Sequence, residues 1–133
     1  MIVVDTCIIV HLFNATDLTF QAQHLLELDS DWRVPTTWRE EYANVLAKLY
    51  RKNLCNEQDV LHLYQQTCKD LQNREHKVDT KDALECALEY QISAYDAHFV
   101  TLALAFDTKL ITEDTEVLKK CPKTAISMRK FFE

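Results

Sequence analysis

The sequence contains no glycine among its 133 residues, and this absence excludes whole classes of binding site. Loops that cradle phosphate groups need backbone conformations, and a close approach of the backbone, that only glycine provides. P-loop nucleotide binding and dinucleotide binding of the Rossmann type are therefore excluded.

Paired cysteines and long apolar segments are also missing. The five cysteines (Cys7, Cys55, Cys68, Cys86 and Cys121) are odd in number and include no C-x-x-C pair, which predicts free thiols rather than disulfides or a zinc ribbon. The longest apolar runs, Ile2–Val4 and Cys7–Val10, fall far short of the roughly 20 residues of a membrane helix. No basic segment precedes a sustained apolar stretch, so we expect a cytoplasmic protein without a membrane span.

Positive charge is scarce, since the formal net charge is −6. The surface as a whole therefore lacks the positive field that is typical of proteins that bind duplex nucleic acid. Nucleic acid remains possible as a ligand, because carboxylates that hold divalent cations contribute to a charge counted without metal.

The hydrophobic pattern predicts an α/β fold with a short, mainly parallel sheet flanked by helices, in one domain over residues 1–133. Ile2–Val4 is a β-branched run without alternation, as expected of a central strand buried on both faces. Further short strands are predicted at 33–35, near Val78, and at 109–112 and 124–126. Helices are predicted between these strands, with N-caps at Thr16-Asp17, Thr36 or Thr37, Asn56, Thr80 and Ser93.

Acidic residues interrupt these apolar segments at informative positions. Asp5 follows the first strand and precedes another apolar run, so its carboxylate is predicted to be partly buried and to need a partner. That partner is either a cation or the N-terminus of the helix that begins at Thr6. Glu41 lies one helical turn from both Trp38 and Val45 and is predicted to face inward, whereas Glu40 points elsewhere.

Two further acids have the same ambiguity. Asp96 lies in the first turn of a predominantly apolar helix, where an acid also favours the helix dipole. Asp114 occupies a junction between the strand ending near Thr112 and the next helix, where it could simply be an N-cap. Each acid alone is therefore explained either by a helix end or by a bound cation.

Taken together, the four acids suggest a metal site. Strand ends and helices would bring Asp5, Glu41, Asp96 and Asp114 to one edge of a parallel sheet, where four like charges coexist only around divalent metal. Oxygen ligands without a histidine and cysteine set favour Mg²⁺ or Mn²⁺ over zinc. Such sites usually hydrolyse phosphodiesters by activating a water and stabilising the departing oxygen.

The sequence resembles PIN domains, in particular the small VapC-type ribonuclease toxins of toxin–antitoxin pairs, over essentially its whole length. Four segments in the family's order and spacing support the resemblance: Ile2–Thr6, Val34-Pro35 followed by Glu41–Leu46, Ser93–Ala97 and Leu110–Asp114.

The resemblance implies a PIN-like three-layer fold and a metal-dependent endoribonuclease. It places the family's metal-binding acids at the four positions chosen above, and its polar accessory residues at Thr6, Asn44 and Thr112. It also implies an RNA substrate, a homodimer, and inhibition by a small antitoxin whose cationic side chain enters the acidic site. The alternative is a non-catalytic PIN-like interaction module in which the acids persist only as helix caps.

The sequence departs from the family pattern at three places. Relatives commonly have glycine before the third acid and before the last strand, where this chain has Gln91-Ile92 and Phe106-Asp107. Many relatives have lysine or a small residue in the helix after the first acid, at the position of His11. The simplest interpretation of His11 is a packed or partly exposed histidine, so it is not assigned to the site here.

Overall fold

The computed structural model describes all 133 residues and contains one five-stranded sheet. The strands are β1 (Ile2–Val4), β2 (Trp32–Pro35), β3 (Glu75–His76), β4 (Leu110–Ile111) and β5 (Ala125–Ile126). Their order across the sheet is β3-β2-β1-β4-β5, and every neighbouring pair is parallel. Parallel pairing makes each connection a crossover, which brings the carboxyl ends of the strands to the same edge.

Eight helices connect and cover the strands. They are α1 (Thr6–Phe13), α2 (Thr19–Leu28), α3 (Trp38–Arg51), α4 (Glu57–Leu71), α5 (Thr80–Tyr90), α6 (Ala94–Ala105), α7 (Thr115–Lys120) and α8 (Met128–Phe131). Helix α6 packs against β1, β2 and β4. The predicted α/β fold with a parallel sheet is therefore confirmed, and no helix is long and apolar enough to cross a bilayer.

Strand β1 occupies the centre of the sheet, as its non-alternating sequence predicts. Val3 and Val4 are fully buried, and both belong to one hydrophobic core of 28 buried residues. Strand β1 pairs with β2 on one side and with β4 on the other. Asp5 directly follows β1 and therefore lies between the ends of these two strands. The position of Asp5 is therefore determined by the most buried element of the fold.

Several local boundaries differ from the predictions. Helix α2 begins at Thr19, because Thr16 instead forms a loop turn in which its hydroxyl accepts the Leu18 N–H at 3.2 Å. Helix α5 is capped by Asp79 rather than by Thr80. The strand predicted near Val78 lies at Glu75–His76, because those residues pair with Val34 and Pro35 of β2.

Other caps follow the sequence. Asn56 accepts the Asp59 N–H at 2.8 Å, and Ser93 accepts the Asp96 N–H at 3.1 Å. Thr37 precedes α3 but makes no side-chain capping bond. The Ser93 cap matters most for the site, because it determines where α6 begins and hence where Asp96 lies.

Three helices end in a left-handed residue that is not glycine. Asn53, Gln91 and Asp107 have φ values of 58°, 56° and 50°. The residue after each one donates its N–H to a carbonyl five positions earlier, as in the Schellman motif. Two of these residues, Gln91 and Asp107, lie in the segments where the family resemblance leads us to expect glycine.

We expect Gln91→Gly to stabilise the protein. Asn and Asp tolerate the left-handed region through local hydrogen bonds, whereas glutamine has no such compensation and meets a steric cost of roughly 1 kcal/mol. Chemical denaturation should therefore show a free energy of unfolding about 1 kcal/mol higher for the variant. Gln91→Ala is the matched control, since alanine keeps the Cβ atom and should give no comparable gain. An equal gain in both variants would contradict the explanation.

Candidate active site at the carboxyl ends of the strands

An open pocket of about 440 Å³ lies beyond the carboxyl ends of β1 and β4. It is lined by residues from α1, α3, α6 and the turn between β4 and α7: Asp5, Thr6, Cys7, Val10, His11, Glu41, Asn44, Val45, Asp96, Glu113 and Asp114. The structure therefore brings all four predicted acids to one pocket, although they lie up to 109 positions apart in the sequence. Polar residues at this edge of a parallel sheet are typical of a binding site.

Asp5 lies at the base of the pocket and is only 7% exposed. One carboxylate oxygen, Oδ1, accepts the Thr6 N–H at 2.8 Å, and the other, Oδ2, accepts the Thr112 hydroxyl at 2.7 Å. Burial raises the pKa of Asp5 to about 6, the two hydrogen bonds oppose that rise, and the negative charges of Asp96 and Asp114 add to it. The carboxylate is thus oriented by two bonds but carries uncompensated negative charge.

Thr112 connects two of the acids without lining the pocket. Besides donating to Asp5, its Oγ1 atom accepts the N–H of Asp114 at 3.0 Å. Because Thr112 is fully buried after β4, it determines the position of both acids relative to the sheet. This contact supports the accessory position that the resemblance assigns to Thr112.

Glu41 projects from the first turn of α3 into the pocket, while Glu40 is exposed. Its Oε1 atom is buried and has no hydrogen-bond partner. Burial raises the pKa of Glu41 to about 8, together with the smaller effects of the negative charges of Asp5, Asp96 and Glu40. A buried carboxylate oxygen without a donor is costly unless it is protonated or meets a cation.

Asp96 and Asp114 complete the acidic lining from the other side. Burial raises the pKa of Asp96, and so does the neighbouring charge of Asp114. Asp114 lies at the exposed rim and caps α7, since its Oδ1 atom accepts the N–H groups of Glu116 and Val117 at 2.9 and 3.0 Å.

The structure shows that the capping and shared-site interpretations are compatible. Asp5 caps α1 and Asp114 caps α7, yet both carboxylates line the same pocket as Glu41 and Asp96. The Oδ2 atom of Asp114 makes no bond within the helix it caps. A cap uses one oxygen and leaves the carboxylate able to face a ligand.

No three histidine, cysteine, aspartate or glutamate side chains lie close enough together to hold one metal ion directly. The four acids line the pocket as separate groups, and burial, together with their like charges, raises the pKa values of Asp5, Glu41 and Asp96. The donor set nevertheless fits a hard divalent cation, because it consists of oxygens. The unpartnered Oε1 atom of Glu41 and the raised pKa values of three of the acids are features that a cation in this pocket would relieve.

The remaining accessory positions also lie at the pocket. Thr6 is buried, and its hydroxyl oxygen has no hydrogen-bond partner. Asn44 is exposed and follows Glu41 by one turn of α3. Both could hydrogen-bond to a ligand or to water in the pocket.

The sequence predictions did not assign three titratable lining residues to the site: Cys7, His11 and Glu113. Glu113 directly precedes Asp114 after β4, a position that could have identified it, and its Oε1 atom accepts the Met128 N–H at 2.8 Å. Burial raises the pKa of the Cys7 thiol to about 12, and the negative charge of Asp5 contributes. Cys7 is therefore protonated at neutral pH and is not a nucleophile.

Known proteins resemble the chain over nearly its full length. It is 27% identical over 124 residues to Ribonuclease VapC3 of Pyrobaculum aerophilum, covering 91% of this chain and 95% of that protein. Its fold is similar to the crystal structure of PAE2754 from P. aerophilum, with a TM-score of 0.77 and 18% identity over 98% of this chain and 85% of that one. It is also similar to a chain in a toxin–antitoxin complex from Klebsiella pneumoniae, with a TM-score of 0.71 and 18% identity over 96% and 98% of the two chains.

The match to a protein family establishes more than these individual similarities, because it identifies the family to which the chain belongs. The PIN domain pattern matches residues 2–123, a range that begins at β1 and ends just before β5. It includes every acid that lines the pocket. This sequence match, together with the parallel sheet and the acidic pocket at its edge, shows that the chain belongs to the PIN domain family.

Proposed function

We propose that this protein is a metal-dependent endoribonuclease that hydrolyses phosphodiester bonds of RNA, as the toxin of a type II toxin–antitoxin pair. The observation that carries the proposal is the convergence of Asp5, Glu41, Asp96 and Asp114 on one pocket of a PIN-family fold. The similarity to Ribonuclease VapC3 supports RNA as the substrate. We also propose that residues 1–133 form a single PIN-like domain.

The four acids are proposed to hold one or two Mg²⁺ or Mn²⁺ ions, with water completing the coordination of each ion. Such a cation, when bound, would stabilise negative charge that develops on the phosphate and would lower the pKa of a bound water. Thr112 holds Asp5 and Asp114 in place, and Glu41 presents a carboxyl oxygen that no protein group occupies. Thr6 and Asn44 are proposed to orient water or phosphate oxygens at the pocket wall.

The proposed partner is a small antitoxin that contributes a lysine or arginine to the pocket. A cationic side chain would form charge-assisted hydrogen bonds with the carboxylates and compete with metal for the same oxygens. The toxin–antitoxin complex with a similar fold supports this type of partner. We also propose that the protein forms a homodimer and is located in the cytoplasm.

A cleavage assay with single-stranded RNA tests the function. We expect cleavage by the purified protein in Mg²⁺ or Mn²⁺, and none in a chelator, because the acids alone provide no electrophile for the phosphate. The double variant Asp5→Asn/Asp96→Asn is the control for a contaminating nuclease and should be inactive in every buffer. Cleavage that survives both chelator and the double substitution would contradict the proposal, and a folded protein that neither binds metal nor cleaves RNA would favour the interaction module.

A further inference from the structure

Acidic side chains greatly outnumber basic ones in the lining of the pocket. Five of its lining residues carry carboxylates, namely Asp5, Glu41, Asp96, Glu113 and Asp114, and none is lysine or arginine. His11 is the one lining side chain that is able to carry a positive charge. A phosphodiester that enters this pocket meets carboxylates at five of the eleven lining residues, so each hydrogen-bond donor there is important for binding it.

His11 faces the pocket from the second turn of α1. Cys7, Val10 and His11 all line the pocket, and their spacing of three and four residues places them on one face of the helix. His11 follows Asp5 by six positions, which corresponds to about 9 Å along a helix axis. His11 therefore lies further along the same pocket wall than Asp5, where it could contact a neighbouring part of the same nucleotide chain.

A network of hydrogen bonds holds the imidazole ring in place. The Nδ1 atom of His11 lies 2.7 Å from the Thr16 hydroxyl. Thr16 is itself positioned by the Leu18 N–H, which its hydroxyl accepts at 3.2 Å, and by its own N–H, which donates to the Thr19 hydroxyl at 2.9 Å. Thr19 in turn donates to the Asn14 carbonyl at 3.1 Å. The ring is thus oriented by the loop between α1 and α2, through one nitrogen only.

The network is satisfied by the neutral tautomer that carries its proton on Nε2. The Thr16 hydroxyl already accepts the Leu18 N–H, and it can donate its one hydrogen to the Nδ1 atom of His11 at 2.7 Å. Donation to Nδ1 places the ring proton on Nε2. Burial lowers the pKa of His11, which favours this neutral form. The Nε2–H group has no acceptor in the protein and is available to a ligand.

We propose that His11 is a substrate-binding residue whose Nε2–H donates a hydrogen bond to a phosphate oxygen of the bound RNA. Thr16 is the residue that positions it. This inference rests on the proposed function, because it names a contact between the same pocket and its RNA. It assigns no proton transfer to His11.

Steady-state kinetics on a single-stranded RNA oligonucleotide test the assignment. His11→Ala should raise KM by about 10- to 100-fold with little change in kcat, since a hydrogen bond to an anionic group is lost. Thr16→Val should raise KM by a smaller factor, about threefold to tenfold, because the ring loses its anchor but keeps its donor. His11→Gln should restore most of the binding, because its amide N–H can reach a similar position.

Two controls make the result specific. His62→Ala removes an exposed histidine of α4 that lies outside the pocket, and it should leave KM and kcat unchanged. RNA binding by fluorescence anisotropy in the non-cleaving Asp5→Asn background should show the same losses for His11→Ala as KM does. Thermal unfolding of each variant checks that the fold is retained.

The outcomes separate this inference from the proposed function. An unchanged KM and an unchanged RNA affinity in His11→Ala, with cleavage still lost in Asp5→Asn, would overturn the role of His11 and leave the ribonuclease intact. A fall in kcat alone, or a loss that His11→Gln does not restore, would also overturn it. If the wild-type protein binds RNA without cleaving it, the proposed enzyme fails while the anisotropy measurement still decides the role of His11. If it binds no RNA, both fail.

Discussion

Asp5→Asn is expected to reduce RNA cleavage by about a thousandfold or more and to leave the fold intact. Asparagine keeps the shape of the side chain, and its carbonyl oxygen can still accept the Thr6 N–H that Asp5 accepts at 2.8 Å. It removes, however, a negative charge from the base of the pocket, where a divalent cation would be held. Single-turnover cleavage of RNA in Mn²⁺ measures the loss, and circular dichroism checks the fold.

A graded series makes this result informative. Thr112→Val removes the hydroxyl that donates to Asp5 and accepts from Asp114, but it keeps all the carboxylates. We expect a loss of roughly 10- to 100-fold, which is typical of residues that orient metal ligands. If Asp5→Asn retained more than a tenth of the wild-type rate, or if Thr112→Val were the more damaging change, Asp5 would not be a ligand in the reaction.

Glu41→Gln is expected to abolish cleavage and at the same time to stabilise the metal-free protein. Burial and three neighbouring negative charges raise the pKa of Glu41 from its ordinary value of 4.5 to about 8, so ionisation of this side chain destabilises the folded state. Glutamine removes that charge and supplies a donor to a region rich in acceptors. Because Glu41 is partly exposed to solvent, the expected gain at pH 8 is discounted to about 1–2 kcal/mol.

The pH dependence of stability has a definite sign. A carboxyl group whose pKa is raised by folding binds more protons in the folded state, so its stabilising contribution is full below the unfolded pKa and is lost as pH rises through the folded one. The pKa values of about 6 for Asp5 and about 8 for Glu41 define the range. Without metal, the free energy of unfolding should therefore fall from about pH 5 to pH 8, by up to about 1 kcal/mol per pH unit.

Denaturant unfolding in chelator between pH 5 and pH 8 measures this dependence. Glu41→Gln should flatten the curve above pH 6, whereas Glu40→Gln should not, because Glu40 is the exposed neighbour on the same helix. A ligand that binds only the folded state raises the stability of that state. Mn²⁺ should therefore stabilise the wild-type protein much more than it stabilises the Glu41→Gln variant. A wild-type stability that rises with pH over this range would contradict the acidic-repulsion explanation.

The acidic pocket lowers the free energy of unfolding of the metal-free protein. The same charges that are proposed to hold a cation destabilise the protein when no cation is present. Stability and activity should therefore change in opposite directions for substitutions at Glu41. A helix cap that had no ligand function would not show this opposition.

The sequence alone was sufficient to predict features that depend on short-range pattern. The unbroken apolar run of Ile2–Val4 indicated a central parallel strand, and the acid that follows it was identified as partly buried. Asn56 and Ser93 were identified as caps, because a cap depends on residues three positions apart. Four acids at strand ends and on apolar helix faces were chosen, because such positions meet at one edge of a parallel sheet.

Only the tertiary structure decided features that depend on residues distant in the sequence. The strand at Glu75–His76 is defined by its pairing with β2, and Thr112 reaches Asp5 across 107 positions of sequence. His11 and Glu113 became part of the pocket because helix α1 and the turn after β4 pack side by side there. Local patterns determine which way a side chain points on its own element, whereas the packing of separate elements decides which side chains meet.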